Sequence, residues 1–222
     1  MGVEKLRWSF EHLKQLKILI VIAFSGLILS LIFVKIEILY LLIPLAILSI
    51  LYSFSFPGKQ KHHFGILKIP GMKTLMIAFV WSSATVFAPA LQGSHSLACQ
   101  QIMFLFAERF TFIFAIAIPF DIRDRENDAL SLLKTLPVTL GESNALKISN
   151  STLLISLSIA TFHYVHADMF FILPAYLFSF VCTSIFINNK ALKNVAFYHH
   201  GILDGTILLH GLLIFASFYL IL

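Results

Sequence analysis

The sequence is short of charge: only 12% of its 222 residues are Asp, Glu, Lys or Arg. Soluble domains carry about twice that share, and here 59% of the side chains are hydrophobic. A chain of this length cannot hide so much apolar surface inside a globule, so the composition excludes a soluble protein. It predicts a protein that uses the lipid bilayer as the solvent for much of its surface.

Cysteine is also scarce, and its placement excludes two further classes. Cys99 and Cys182 both lie in apolar segments and lack the spacing of a disulfide framework or a metal site. The formal net charge is +5, but the sequence shows no solvated basic face of the kind that nucleic acid requires. We therefore expect no nucleic-acid partner.

Long apolar segments recur along the chain, each close to the roughly 17–25 residues that cross a bilayer core. They cover residues 18–34, 38–56, 74–92, 98–120, 148–165, 169–189 and 205–222. Backbone groups in hydrocarbon must be hydrogen-bonded within their own segment, which favours helices. The sequence predicts a single domain over 1–222, an all-α integral membrane protein with about seven transmembrane helices.

Basic residues are distributed asymmetrically between the two sides of this arrangement. Fourteen of the 16 fall in the N-terminal stretch and in the loops after the second, fourth and sixth segments. Lys and Arg accumulate in cytoplasmic loops. The pattern predicts a multi-pass protein with a cytoplasmic N-terminus and an external C-terminus, and we expect a bacterial cytoplasmic membrane.

An acidic run follows the fourth segment on the predicted cytoplasmic side. At about 100° per residue, Asp121, Asp124 and Asp128 share one helical face, an arrangement that suits a hard divalent cation such as Mg²⁺. Arg125 and Lys134 are close enough to contact phosphate oxygens. The alternative is a solvated loop in which Asp and Arg pair with one another.

These residues carry a resemblance to a known family. The pattern Asp121-x-x-Asp124-x-x-x-Asp128 followed by Lys134-Thr-Leu-Pro resembles the second aspartate-rich motif of the UbiA superfamily of intramembrane prenyltransferases. Tyr52-Ser53, the run from Lys68 to Lys73, and Trp81 resemble that family's middle region. The resemblance spans essentially the whole chain.

The resemblance implies a nine-helix fold around a cavity, of which this chain matches spans three to nine. It implies transfer of a prenyl group from a prenyl diphosphate to a lipophilic acceptor, with Mg²⁺ as cofactor. The implied catalytic and metal-binding residues are Asp121, Asp124 and Asp128. The implied substrate-binding residues are Arg125, Lys134, Lys68, Lys73 and Tyr52.

Two departures from the family pattern shape the expected activity. Residues 1–17 contain only Glu4 and Glu11, without the Asn-Asp-x-x-x-Asp pattern of a first acidic motif. Leu132 occupies the position where the family usually has Gly. We expect a divergent or N-terminally shortened member with impaired activity, in which exposed helix faces could recruit a second copy.

Two other functions remain open at the level of sequence. A non-catalytic relative, acting as a membrane scaffold or lipid-binding protein, is the main alternative. A small transporter is the other, with Glu108 and Arg109 in its path, because ionisable residues in the middle of a membrane segment usually face a cavity or a partner. For this pair we weigh a cavity-lining role against an interhelix bond.

Overall fold

The structure is a computed structural model that describes residues 12–53, 69–93, 98–189, 192, 195 and 198–219. Lys68 lies outside these residues, and Tyr52 lies in a described helix but its side chain does not belong to the described part. Within the described ranges the chain is almost entirely helical and contains no strand. This confirms the predicted all-α class.

Nine α-helices account for most of the described residues. They are α1 (Leu13–Leu31), α2 (Ile36–Ser53), α3 (Met72–Gln92), α4 (Cys99–Arg123), α5 (Arg125–Leu130), α6 (Leu136–Leu140), α7 (Glu142–His166), α8 (Leu173–Asn188) and α9 (Asp204–Tyr219). A 3-10 turn at Phe170–Ile172 precedes α8, and a π-helical turn at Tyr198–Leu203 precedes α9.

Seven of these helices correspond to the seven predicted membrane segments. Six elements of the described part are long and apolar enough to cross a bilayer, and α2 contributes a shorter apolar stretch, Ile36–Leu51. The two remaining helices, α5 and α6, are short and follow α4. The protein is therefore a multi-pass integral membrane protein, as the sequence predicts.

Several helices extend beyond the predicted apolar segments, and α1 begins at Leu13 rather than at residue 18. α7 begins at Glu142 rather than at residue 148, and α4 continues to Arg123 rather than ending at residue 120. Hydropathy marks only the part of a helix in hydrocarbon, whereas backbone hydrogen bonding propagates into the polar interface. The extension of α4 places Asp121 inside the helix.

The chain divides into two compact units, residues 1–40 and 41–222. In the first unit, α1 has no buried side chain. The second unit holds α3 to α9 and all the residues discussed below. A single domain over the full chain stays a prediction.

The second unit is built around α4, which packs against both α3 and α7. Small side chains bring α4 and α7 close together: Ala115 and Ala145 are fully buried. Ser149 donates a hydrogen bond to the Ala115 carbonyl at 2.7 Å, and Ser156 donates to the Glu108 carbonyl at 2.9 Å. Close approach through small and hydroxylated residues is how helices associate in a bilayer, where apolar burial alone gives no driving force.

Candidate active site

One lysine ammonium lies between two buried carboxylates where α3 begins and α4 ends. Lys73 Nζ is 3.2 Å from Asp121 Oδ1, and 3.2 and 3.0 Å from the two carboxylate oxygens of Asp128. Asp121 and Asp128 are only 2% and 6% exposed. Thr74 donates a further hydrogen bond to Asp121 Oδ2. Buried carboxylates require this compensation, since an unpaired charge in such a place is costly.

The loop before α3 fixes the position of Lys73. Gly71 has a φ of +73°, in the left-handed region that glycine adopts without strain. Its N–H donates to the Lys134 carbonyl at 3.0 Å, and a Cβ added here would lie 3.0 Å from Leu136 Cδ2. The Lys-Thr-Leu-Pro segment therefore packs directly against the start of α3 and brings Lys73 to the aspartates.

The end of α5 fixes Asp128 in a similar way. The N–H of Leu133 donates to the Asp128 carbonyl at 2.9 Å, and the N–H of Leu132 donates to the Ala129 carbonyl at 3.0 Å. This pair of bonds defines a Schellman helix end, which places its C′ residue in the left-handed region. Leu132 occupies that position with a φ of +58°. The structure thus gives a physical reason for the glycine usual in the resembled family.

The remaining aspartate, Asp124, pairs with Arg123 instead of Lys73. The α-helix ends at Arg123 and restarts at Arg125, so the continuous helical face expected from spacing is interrupted at Asp124. Arg123 Nε and Nη2 donate to the Asp124 carboxylate at 2.8 and 3.0 Å. These hydrogen bonds hold the pKa of Asp124 below its usual range. The guanidinium also lies 5.3 Å from the centre of the Phe120 ring.

A cavity of about 640 Å³ opens beside these ion pairs. Its polar end is formed by Lys73, Asp121, Arg123, Asp124 and Asp204. Its apolar wall comes from α3, α4 and α9, through Ile77, Trp81, Ile113, Ile116, Ala117, Phe120, Ile207 and Leu208. The volume falls in the range of roughly 300–1,000 Å³ that is usual for small-molecule sites. Trp81 and Leu208 are 53% and 65% exposed, so this wall also opens outward.

The residues expected to form the site therefore divide into two groups. Lys73 and the three aspartates lie together at the polar end of the cavity or directly beside it. Arg125 and Lys134 are exposed, and the contact described for Lys134 is through its backbone. For Lys68 and Tyr52, which fall outside the described side chains, a substrate-binding role stays a prediction.

Two residues of this region have little or no signal in the sequence. Asp204 opens α9 and resembles an ordinary helix-start residue, yet it lies at the polar end of the cavity. Thr74 resembles an ordinary polar residue at a helix start, yet it donates a hydrogen bond to Asp121. The available hint for Asp204 is that it falls on the same predicted membrane side as the acidic run.

The site supplies two of the ligands that a divalent cation needs. Within the described ranges, no group of three or more His, Cys, Asp or Glu side chains is arranged to hold a metal ion. Asp121 and Asp128 nevertheless face one point, because both contact the same lysine ammonium. That ammonium stands in for a cation, and Mg²⁺ is commonly bound by one or two carboxylates together with substrate phosphates. The donor set fits Mg²⁺ on those terms.

A second polar centre lies in the middle of α4. Glu108 is 1% exposed and accepts a hydrogen bond from the Tyr164 hydroxyl of α7 at 3.0 Å. His163 Nδ1 lies 3.8 Å from the other Glu108 oxygen, too far for a hydrogen bond. Ser156 links the same turn of α4 to the Tyr176 hydroxyl at 2.7 Å. Of the two roles weighed for Glu108, the structure contains the interhelix bond.

The fold and the site together define a membrane-embedded helical protein with an acidic, cation-holding end to an apolar cavity. Comparison with protein-family models matches residues 12–220 to the UbiA prenyltransferase family. The chain belongs to this family, whose members are generally magnesium-dependent prenyltransferases. Comparisons with curated proteins and with solved structures give no match.

Proposed function

We propose that the protein transfers a prenyl group from a prenyl diphosphate to a lipophilic acceptor within the membrane. The observation that carries this proposal is the cavity with its two unlike ends. Charged side chains at one end suit a diphosphate, and the apolar wall suits an isoprenoid chain. The outward-facing Trp81 and Leu208 would let a substrate dissolved in lipid enter from the side.

The reaction begins at the polar end. The bond between the allylic carbon and the diphosphate oxygen breaks, and both electrons leave with the diphosphate. Asp121 and Asp128 would hold Mg²⁺, which supplies positive charge to the departing oxygens. Lys73 and Arg123 lie at the same end and donate hydrogen bonds to the diphosphate, a form of electrostatic stabilisation that acts on developing charge.

The second half of the reaction takes place along the apolar wall. The allylic cation is attacked by an electron-rich atom of the acceptor, and the acceptor then loses a proton to the diphosphate. Trp81 and Phe120 line this part of the cavity, and aromatic rings stabilise a nearby cation. The surrounding isoleucines exclude water, which would otherwise capture the cation as an alcohol.

The site assignment extends to residues beyond the central ion pairs. We include Asp124 as a further metal ligand, available if Arg123 turns towards the diphosphate. Arg125, Lys134 and Lys68 would serve as outer phosphate contacts.

We also propose an orientation in the membrane, with the N-terminus in the cytoplasm and the C-terminus outside, in a bacterial cytoplasmic membrane. Residues 1–222 would form one domain that can assemble into homo-oligomers.

The test is a binding and turnover assay on the purified chain in lipid nanodiscs. Mg²⁺ is offered with prenyl diphosphates of several lengths and with aromatic and isoprenoid acceptors. We expect binding and product formation that require Mg²⁺ and disappear in Asp128→Asn. Asp168→Asn is the matched control, because Asp168 follows the C-terminal end of α7, does not line the cavity, and has a φ of +55° that suits Asn. Binding that persists without Mg²⁺, or in Asp128→Asn, contradicts the proposal.

A non-catalytic lipid-binding role is the second candidate, and one observation favours it. Each of the three aspartates already has a cationic partner, Lys73 or Arg123, without a bound metal. The same assay separates the candidates. Tight binding of an isoprenoid without Mg²⁺, with no product from any acceptor, supports the scaffold or lipid-binding protein.

A further inference from the structure

We propose that Lys73 is a displaceable counter-ion that makes cation binding depend on a bound diphosphate. The inference rests on the proposed function and concerns the order in which the site fills. Its basis is the position of one atom. Lys73 Nζ lies within 3.2 Å of both Asp121 and Asp128, at the point where their carboxylates converge.

A lysine ammonium and a divalent cation compete for this point. Mg²⁺ binds oxygen at about 2.0–2.1 Å, so a metal held by both carboxylates would lie in nearly the same place as Nζ. Two positive charges at such short range repel each other strongly where water is scarce. The buried state of Asp121 and Asp128 keeps screening low. Metal can therefore bind to both aspartates only if Lys73 moves away.

The cavity has room for the displaced Lys73 ammonium. Its side chain is 22% exposed, and it lines the cavity beside Arg123. The lysine stem has four rotatable bonds, which allows the ammonium to turn from the carboxylates into the cavity. An anion in the polar end, such as a diphosphate, gives the displaced ammonium a new partner. Without that anion, Lys73 returns to the aspartates.

Metal and diphosphate are then linked through one side chain. A diphosphate draws Lys73 away and opens the carboxylate pair, and a bound metal releases Lys73 for the diphosphate. Such coupling is reciprocal, so each ligand must raise the affinity of the other by the same factor. We expect this factor to be about tenfold or more, which is within the usual range of coupling between sites.

The experiment measures Mn²⁺ binding to the full chain in nanodiscs by electron paramagnetic resonance, with and without inorganic diphosphate. For wild type we expect weak Mn²⁺ binding alone and at least about tenfold tighter binding with diphosphate, after correction for the Mn²⁺–diphosphate complex in solution. Lys73→Met should bind Mn²⁺ alone more tightly than wild type, and added diphosphate should change its affinity little. Lys147→Met, an exposed lysine of α7, is the matched control and should behave as wild type.

The outcomes separate this inference from the proposed function. If wild type binds Mn²⁺ equally well with and without diphosphate, or if Lys73→Met binds Mn²⁺ more weakly than wild type, the counter-ion role is wrong while the prenyltransferase proposal stands. If wild type binds neither ligand, the proposed function fails, and this inference fails with it. Should Lys73→Met not be recovered as folded protein, the wild-type comparison alone decides.

Discussion

Helix α4 carries two buried acidic centres that differ in nearly every other respect. At its end, Asp121 meets a lysine from α3 and borders a cavity with four other charged residues. Near its middle, Glu108 meets a tyrosine hydroxyl of α7 and a more distant histidine. Both carboxylates are almost fully buried. The two centres therefore differ not in burial but in counter-charge and in the cavity that Asp121 lines.

The largest expected effect comes from removing the counter-charge. Lys73→Met leaves Asp121 and Asp128 buried without their cation, which should reduce the free energy of unfolding by about 3–5 kcal/mol in chelator. Saturating Mg²⁺ should restore part of this loss, because a cation can then occupy the carboxylate pair. The measurement is unfolding by denaturing detergent, with Lys147→Met as control. An unchanged stability would mean that the ion pairs contribute little.

Substitutions of Glu108, in the middle of α4, should reduce the free energy of unfolding by less. Glu108→Leu removes the acceptor of a buried tyrosine hydroxyl, and an unsatisfied buried donor costs about 1–3 kcal/mol. Glu108→Gln keeps an acceptor for Tyr164 and should lose less than about 1 kcal/mol. The same unfolding assay applies. If Glu108→Gln is as damaging as Lys73→Met, the charge of Glu108 matters and the contrast between the two centres fails.

A substitution at Leu132 should instead stabilise the protein. A left-handed conformation costs a non-glycine residue roughly 1–2 kcal/mol, and Leu132 adopts it at the end of α5. Leu132→Gly should therefore raise the free energy of unfolding by about 1 kcal/mol, less the entropy that glycine gains when the chain unfolds. Leu130→Gly, at the last residue of α5, is the matched control and should destabilise. Destabilisation by Leu132→Gly would contradict the Schellman assignment.

The smallest effect on stability is expected at the more exposed ion pair, between Arg123 and Asp124. Arg123 and Asp124 are each about one-third exposed, so Arg123→Gln should cost less than about 1 kcal/mol. The depressed pKa of Asp124 means that the pair stabilises the fold above the pKa of the unfolded chain. That contribution is lost as the pH falls through the lower pKa of the folded state. Stability measured from pH 7 to pH 3 should show a shallower acid loss in Arg123→Gln than in wild type.

Much of the fold follows from the sequence because hydropathy and charge report directly on the bilayer. Segment length, the scarcity of charge and the positions of the basic residues predict the membrane helices. They do not predict where helices continue into polar surroundings, as α7 does at Glu142. There, backbone hydrogen bonding decides the boundary rather than transfer to lipid.

The candidate site was predictable in its location but not in its pairing. Spacing and resemblance place Asp121, Asp124 and Asp128 together after the fourth membrane helix. Spacing treats them as equivalent, yet the break at Asp124 sends its carboxylate to Arg123 while the other two meet Lys73. Lys73 is 48 residues before Asp121, and the packing of α3 against α4 brings the two residues together. Such long-range packing leaves no local pattern in a single sequence.

The central claim is that the diphosphate lies at Lys73 and the isoprenoid chain follows the apolar wall of the cavity. The most direct test is photoaffinity labelling with a prenyl diphosphate analogue that carries a photoreactive group at the end of its tail, followed by peptide mapping. We expect Mg²⁺-dependent labelling of α3 and α9 around Trp81 and Leu208, reduced by excess inorganic diphosphate and absent in Asp128→Asn. Labelling concentrated near Phe104 and His163, at the other end of α4, or spread evenly over the apolar helices regardless of Mg²⁺, would contradict the account.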